Sequence, residues 1–437
     1  MRPGNLGRIG VTGWSRRDDT VVNVLAVLCP GQGSQKPGFL SPWLELPSFR
    51  DRMEWFSTVA NMDLVSYGTT AHADTLRDTA VAQPLIVAAG LCSLLSIFPR
   101  PADGFRQVSV GAGHSVGEIT AAAATGVITA EQALVFVRER GREMAAAGAI
   151  TPTGMSAVLG GDPAEVLDAL TRHGLTPANM NSVGQVVAAG TLDQLAALAA
   201  DPPAKTRIVP LQVAGAFHTA HMAPATARLG AYARAMTTHE AHARLVSNRD
   251  GHIIHAGRDV LERLVTQVSA PVRWDLCMAT MSEMGVTGLI EVPPAGTLSG
   301  LAKRAMPGVE ILTLNTPDQL DAAFRMIAEH GGNDHAREVQ WTLGVAPTKG
   351  RVSFSSVTPG DEVSAGEVLA HVEGAFDTHH VTAAHHGVMG DWLVGNGDEV
   401  SPGQPILRFG PAIRPHREDG TDQSPDQSPD QTGGSDA

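Results

Sequence analysis

The chain has 437 residues, 43% hydrophobic and 18% charged, with 45 acidic against 32 basic side chains and a formal net charge of −13. That length suggests two or three domains with a large core, and that charge argues against a general nucleic-acid binder, which carries a basic footprint. No apolar run approaching the roughly 20 residues of a bilayer span stands out, and Val21–Leu28 runs into Pro30-Gly31 rather than a small-residue cleavage site. The expectation is a cytoplasmic protein with no secretion signal and no membrane contact. Cys29, Cys92 and Cys277 are too scattered for a disulfide framework or a metal pattern.

In chain order, residues 1–22 are rich in Gly and Arg without apolar period and read as a flexible leader. Val24–Leu28 is a continuous apolar run of the kind that forms a buried parallel strand. From there to about residue 331, strand-like runs alternate with Ala-rich helical stretches. Val108–Ala112 precedes Ile119–Ala124, a helix follows over Ala133–Ala147, and Gly288–Val292 precedes Thr297–Ala305. Such alternation predicts an α/β domain, residues 23–331, with a mostly parallel sheet. Within it, residues of about 154–212 read as an inserted α+β subdomain. Its strands are Met155–Leu159, Gln185–Ala189 and Arg207–Val213, and its helices Pro163–His173 and Leu192–Ala200.

Residues 332–343 resemble a linker, and residues 344–410 carry short strand-like runs with Gly-Asp turns. Gly360-Asp361-Glu362-Val363-Ser364 recurs 37 residues later as Gly397-Asp398-Glu399-Val400-Ser401. Two similar all-β halves packed into one small barrel are expected. Residues 411–437, with Asp-Gln-Ser-Pro repeated, cannot build a core and read as a disordered acidic tail.

Gly113-His114-Ser115-Val116-Gly117 fits G-x-S-x-G between a predicted strand and a predicted helix. The glycines permit a sharp turn that exposes Ser115, with the helix N-terminus and the Val116 amide facing developing negative charge. The pattern alone also suits an ordinary capped turn. His218, in Gly215-Ala216-Phe217-His218-Thr219, is a candidate base, with His221 a close competitor that pattern does not exclude. Pro30-Gly31-Gln32-Gly33-Ser34-Gln35 closes the first strand, where glycine-loop amides can donate to an oxyanion. Arg140 lies 25 residues after Ser115 on a helix, where a guanidinium could grip a carboxylate through two hydrogen bonds. Arg138 and Arg142 beside it allow the plainer reading of a solvated face.

Together these residues resemble the malonyl-CoA:acyl-carrier-protein transacylases and the acyltransferase domains of polyketide synthases. The resemblance covers about residues 24–320 in the family's order. It runs through Pro30–Gln35, the Gln83-Pro84 helix start, Gly113–Glu118, Arg140-Gly141, Asn179-x-Asn181-x-x-Gly184-Gln185, Phe217-His218, and Gln267 with Pro271-Val272-x-Trp274. The resemblance implies a hydrolase-like parallel-sheet core with an inserted ferredoxin-like subdomain. It also implies Ser115 as nucleophile, His218 as base oriented by the backbone carbonyl of Gln267, and an oxyanion hole from the amides of Gln32 and Val116. Arg140 would hold the malonyl carboxylate, and Gln83 and Phe217 would line the substrate pocket. The implied partners are malonyl-CoA and an acyl carrier protein, in fatty acid or polyketide synthesis. Glu291-Val292-Pro293-Pro294-Ala295-Gly296 stands where the family commonly has Glu-Val-Gly-Pro-Gly, a departure in the path of one turn.

The C-terminal part resembles biotinyl/lipoyl carrier domains, flattened barrels of two similar halves whose central hairpin carries a lysine. Here Phe376 falls at that tip and the nearest lysine, Lys349, lies in the first half, so neither biotin nor lipoate is expected. A docking role is expected instead, with an acyl-CoA carboxylase or another synthase component as partner. His371, His379, His380, His385 and His386 raise a metal site, but adjacent strand residues point to opposite faces, so each pair offers one ligand and no metal is expected. Residues 334–437 hold 16 acidic and 6 basic side chains against 29 and 26 in the rest. The near-neutral remainder leaves room for a basic patch, with Lys205, Arg207, Arg273, Lys303 and Arg304 as candidates.

Two other readings compete. A hydrolase shares G-x-S-x-G, but usually places an acid between serine and a late histidine; none occurs between Asp201 and His218. A scaffold would have the barrel as its working part.

Overall fold

The structure, a computed structural model, describes residues 23–213, 215–332, 342–359, 361–383 and 386–410. The expected leader, most of the linker and the acidic tail lie outside these residues. The chain divides into two compact units, Met1–Ala336 and Arg337–Ala437.

In the first unit β1 (Leu25–Cys29) and β2 (Val110–Gly113) are buried at every position, as suits strands covered on both faces. The chain then leaves the main sheet for β3 (Thr153–Gly160), β4 (Thr176–Ser182), β5 (Gln185–Thr191) and β6 (Thr206–Pro210). It returns through β7 (Arg244–Val246), β8 (Ile253–Ile254), β9 (Gly288–Glu291) and β10 (Glu310–Thr313). The main sheet runs β10-β9-β1-β2-β7-β8, and every pair is parallel except the β7–β8 edge. Helices Leu192–Ala200 and Thr297–Ala305 occur over the residues expected.

The inserted unit is an antiparallel sheet in the order β4-β5-β3-β6, with helices Pro163–Arg172 and Leu192–Ala200 between β3 and β4 and between β5 and β6. β4 is an addition to the expected elements. Its sequence, Thr-Pro-Ala-Asn-Met-Asn-Ser, has no apolar alternation. Its outer edge is instead held by the main body, through Met180 N–H to Val272 O (2.9 Å) and Val272 N–H to Ala178 O (2.9 Å).

The Thr79–Ile97 helix corrects two expectations. It begins at Thr79, so Gln83-Pro84 is not its start, and Pro84 sits in its interior. It is also long and apolar enough to cross a membrane by length and composition. Nearly all its residues are buried in the protein core against helix Ala130–Gly148. A helix apolar all round is what a fully enclosed position requires.

The Glu291 departure resolves into a cap. Its carboxylate, fully buried at the end of β9, accepts from the amides of Gly296 (2.9 Å), Leu298 (3.0 Å) and Ser299 (2.7 Å) at the start of helix Thr297–Ala305. An anion at a helix N-terminus meets both the unsatisfied amides and the dipole. Glu291→Ala is expected to cost about 3 kcal/mol, because three donors lose a charged acceptor in a dry site. Calorimetric unfolding checks it.

The second unit contains β11 (Thr342–Val345), β12 (Gly350–Phe354), β13 (Glu362–Val363), β14 (Val368–Glu373), β15 (Thr378–Thr382), β16 (Gly387–Trp392), β17 (Glu399–Val400) and β18 (Pro405–Gly410). Its first strand starts inside the segment expected to be linker. The 37-residue repeat maps one half onto the other. Gly350 pairs with Val400, and Gly387 with Val363; Arg351 pairs with Glu373, and Val388 with Gly410. The sheets are β11-β18-β16-β13 and β15-β14-β12-β17, so each half gives two strands to each sheet. Val352, Val372, Met389, Phe409 and their neighbours form the core between them.

Candidate active site

The site is built where β1 and β2 end. Cys29 and Gly113 are register partners in these parallel strands, so Gln32 and Val116, each three residues on, emerge at the same edge of the sheet. This is the edge at which parallel α/β sheets place their ligands. The approach is close enough to demand glycine. A Cβ on Gly117 would strike the backbone of Cys29, and one on Gly113 the backbone of Gly117 and Glu118. Ser115, between them, takes a left-handed φ of 53°, a strained conformation that aims its side chain out of the turn. Asn248, two residues beyond the end of β7, holds the turn. It accepts from Ser115 N–H (2.7 Å) and donates to Gly113 O (2.7 Å).

Ser115 Oγ lies 2.7 Å from His218 Nε2, and His218 Nδ1 lies 2.8 Å from the carbonyl oxygen of Gln267. The carbonyl can only accept, so Nδ1 carries the proton and Nε2 faces the hydroxyl as a base. Burial, aided by the positive charge of Arg140, lowers the imidazole to about 3, so it is neutral near pH 7 and Nε2 is open to a proton. The competitor His221 sits in the adjacent Ala220–Met222 turn with its backbone N–H on Thr219 Oγ1, 3.2 Å away.

Arg140 comes from helix Ala130–Gly148, whose start is fixed by a Thr129–Gln132 capping box. It is 1% exposed, unlike Arg142 on the same helix. Nη1 donates to Gln83 Oε1 (2.6 Å), and Nη2 to Gln267 Oε1 (2.8 Å) and to Ser115 Oγ (3.3 Å). No carboxylate among the described residues touches it directly, and burial lowers its pKa to about 10. A buried cation held only by amides and a hydroxyl is a receptor for an anion. Gln83 Nε2 donates to Thr79 Oγ1 (2.7 Å), and Thr79 in turn meets Gln32 Oε1 (2.8 Å), tying the glycine loop to the same network. Phe217 is buried beside His218.

Two groups escaped the sequence reading. Glu118 is only the last letter of a motif in the sequence, yet it is 3% exposed beneath Ser115. It accepts from Asn248 N–H (3.0 Å) and from Gln267 Nε2. Asn248 has no spacing signal; only its place at the end of a parallel strand marks it. His114 joins the elbow to the inserted unit, with Nε2 2.9 Å from Asn181 Oδ1.

Of the basic candidates, Lys205, Arg207, Lys303 and Arg304 are exposed, and Arg304 reaches Gln185 Oε1 (3.1 Å). Arg273 is partly buried, with one edge of its guanidinium, Nε and Nη2, donating to the two carboxylate oxygens of Asp275 (3.0 and 2.9 Å). In the second unit, Phe376 is fully exposed on the turn between β14 and β15. His371 and His380 face each other across that hairpin with Nδ1 atoms 2.8 Å apart, and His379 pairs with Asp377. His385 lies outside the described residues.

Residues 27–330 match the family model described as the acyl transferase domain, and residues 342–409 the one described as biotin-requiring enzyme. The malonyl CoA-acyl carrier protein transacylase of Mycobacterium tuberculosis H37Rv is 51% identical over 298 residues, covering 68% of this chain and 98% of that protein. The Escherichia coli K12 protein of the same name is 30% identical over 308 residues, covering 69% and 99%. The crystal structure of the Mycobacterium tuberculosis MCAT covers 68% of this chain and 99% of its own at a TM-score of 0.66. A type II polyketide-synthase acyl-carrier protein in complex with its malonyl-transacylase is similar at 29% identity, covering 69% and 99%, with a TM-score of 0.64.

Proposed function

This chain belongs to the acyl transferase family, and from that premise we propose how it works: it is a malonyl-CoA:acyl-carrier-protein transacylase that moves malonyl through a serine ester. The observation that carries the reading is the buried Arg140 guanidinium 3.3 Å from a serine hydroxyl that also meets a neutral histidine. Ser115 Oγ attacks the thioester carbonyl while His218 Nε2 takes its proton. The amides of Gln32 and Val116 receive the oxyanion, where each such donor lowers the barrier by about 3 kcal/mol. The tetrahedral adduct expels the CoA thiolate, and His218 returns the proton to the sulfur. The carrier's phosphopantetheine thiol then repeats the sequence in reverse. Arg140 holds the malonyl carboxylate throughout, and Phe217 crowds the α-carbon against a methyl branch.

A hydrolase reading is disfavoured because His218 Nδ1 is served by a backbone carbonyl rather than a carboxylate. We read the main sheet as hydrolase-like and the inserted unit as ferredoxin-like from their strand orders. Incubation with malonyl-CoA, with and without carrier protein, tests the activity. A malonyl adduct mapped by mass spectrometry to Ser115 and discharged by the carrier is expected. Carrier-independent release of CoA at a similar rate would refute transfer.

The barrel we read as a docking module for a carboxylase or another synthase component, since a phenylalanine stands at the hairpin turn. Expressed in a biotinylating host, the protein is expected to show its unmodified intact mass. A stoichiometric biotin adduct would overturn that.

A further inference from the structure

Glu118 is a buried carboxylate that the transfer chemistry above does not use. It does not touch Arg140; Gln267 stands between them. The Gln267 side chain accepts from Arg140 Nη2 through Oε1 (2.8 Å) and donates to Glu118 Oε2 through Nε2. The chain cation–amide–carboxylate fixes which way the amide points, and the backbone carbonyl of that same residue holds His218. Apart from Gln267, Glu118 meets Asn248 N–H and the Ser247 hydroxyl. Other charged or titratable groups around it are Arg263, already paired with Asp250 (2.7 Å), and buried Cys277. Arg140 has no direct carboxylate partner among the described residues, and the charge of Glu118 acts on it across Gln267. A malonyl carboxylate docking on Arg140 brings a second anion into the same dry volume, and two carboxylates cannot share one cation there without cost.

Resting on the malonyl reading above, we propose that Glu118 is the resident counter-ion of the Arg140 pocket and takes a proton from solvent as the malonyl carboxylate docks. One anion and one proton enter together, so the buried charge is unchanged. The site then selects an acyl group bearing a carboxylate by exchanging counter-ions. Glu118 acts as a positioning residue, through Gln267, and touches no reacting atom. Burial has already raised it to about 7, which puts the exchange within reach near neutral pH.

The test is calorimetric titration of malonyl-CoA into full-length Ser115→Ala protein, which cannot be acylated, in buffers of different ionisation enthalpy. Uptake of about half a proton at pH 7, growing toward pH 8, is expected. It should vanish in Ser115→Ala/Glu118→Gln, survive with a moved midpoint in Ser115→Ala/Glu118→Asp, and not occur with CoA alone. An infrared difference band of a protonated carboxyl on adding malonyl-CoA to Ser115→Ala should appear with it, and reads the claim even where Glu118→Gln fails to fold. Binding without proton uptake, or uptake that persists in Glu118→Gln, overturns the proposal. Equal malonyl-CoA affinity in Ser115→Ala and Ser115→Ala/Arg140→Ala would instead refute the malonyl pocket itself.

Discussion

Ser115→Ala is expected to lower malonyl transfer to carrier protein by at least about four orders of magnitude. The magnitude follows from what the hydroxyl does in this geometry. It is the atom that His218 Nε2 faces at 2.7 Å, and the turn that presents it is held in a left-handed conformation by Asn248. Alanine keeps the Ser115 N–H bond to Asn248 and leaves Arg140 on Gln83 and Gln267. Malonyl-CoA binding should therefore change little while kcat collapses. A rapid-quench transfer assay with radiolabelled malonyl-CoA measures the loss. A residual rate within about tenfold of the parent enzyme would mean that a different nucleophile is used, or that malonyl passes directly between thiols.

Arg140→Ala should lower kcat/KM for malonyl-CoA by about 10²- to 10³-fold while leaving acetyl-CoA nearly unaffected. A guanidinium shielded from water forms its substrate ion pair at low dielectric, and truncating one side of such a pair costs about 3–4 kcal/mol. Acetyl has no carboxylate to lose. The substitution also releases Gln83 and Gln267, so a drop shared equally by both substrates would mean that Arg140 only braces the site. Arg140→Lys separates the two effects further. An ammonium keeps the charge but not the fork that reaches two amides at once, and should recover a minor part of the malonyl preference.

Much of this site was legible because its residues lie at turns whose chemistry leaves a mark. A glycine on each side of Ser115 is demanded by backbone contact with Cys29 and Glu118, and a run of glycines is visible in a sequence. Arg140 was legible only through resemblance, since Arg138 and Arg142 share its helix and nothing in the spacing says which one turns inward. Asn248 and the role of Glu118 were not legible at all. Their work is done across elements more than a hundred residues apart, and no local period records it. The same limit explains β4, a polar segment whose partners, β5 along one edge and residue 272 at the other, are supplied by the fold rather than by its own pattern. It also explains the Thr79–Ile97 helix, whose surrounding helices a linear reading cannot see.

The repeat in the second unit bears on how that unit comes into being. Its last strand, β18, lies between β11 and β16, while β11 begins more than sixty residues earlier. Neither half of the repeat owns a complete sheet. As the chain leaves the ribosome, the sheet β11-β18-β16-β13 cannot close until residues 405–410 emerge, and neither can the core that Ile406, Leu407 and Phe409 complete. By then every strand of the transferase sheet, ending at Thr313, has been made. The catalytic unit is thus free to fold first, and the barrel assembles afterward in a single cooperative step.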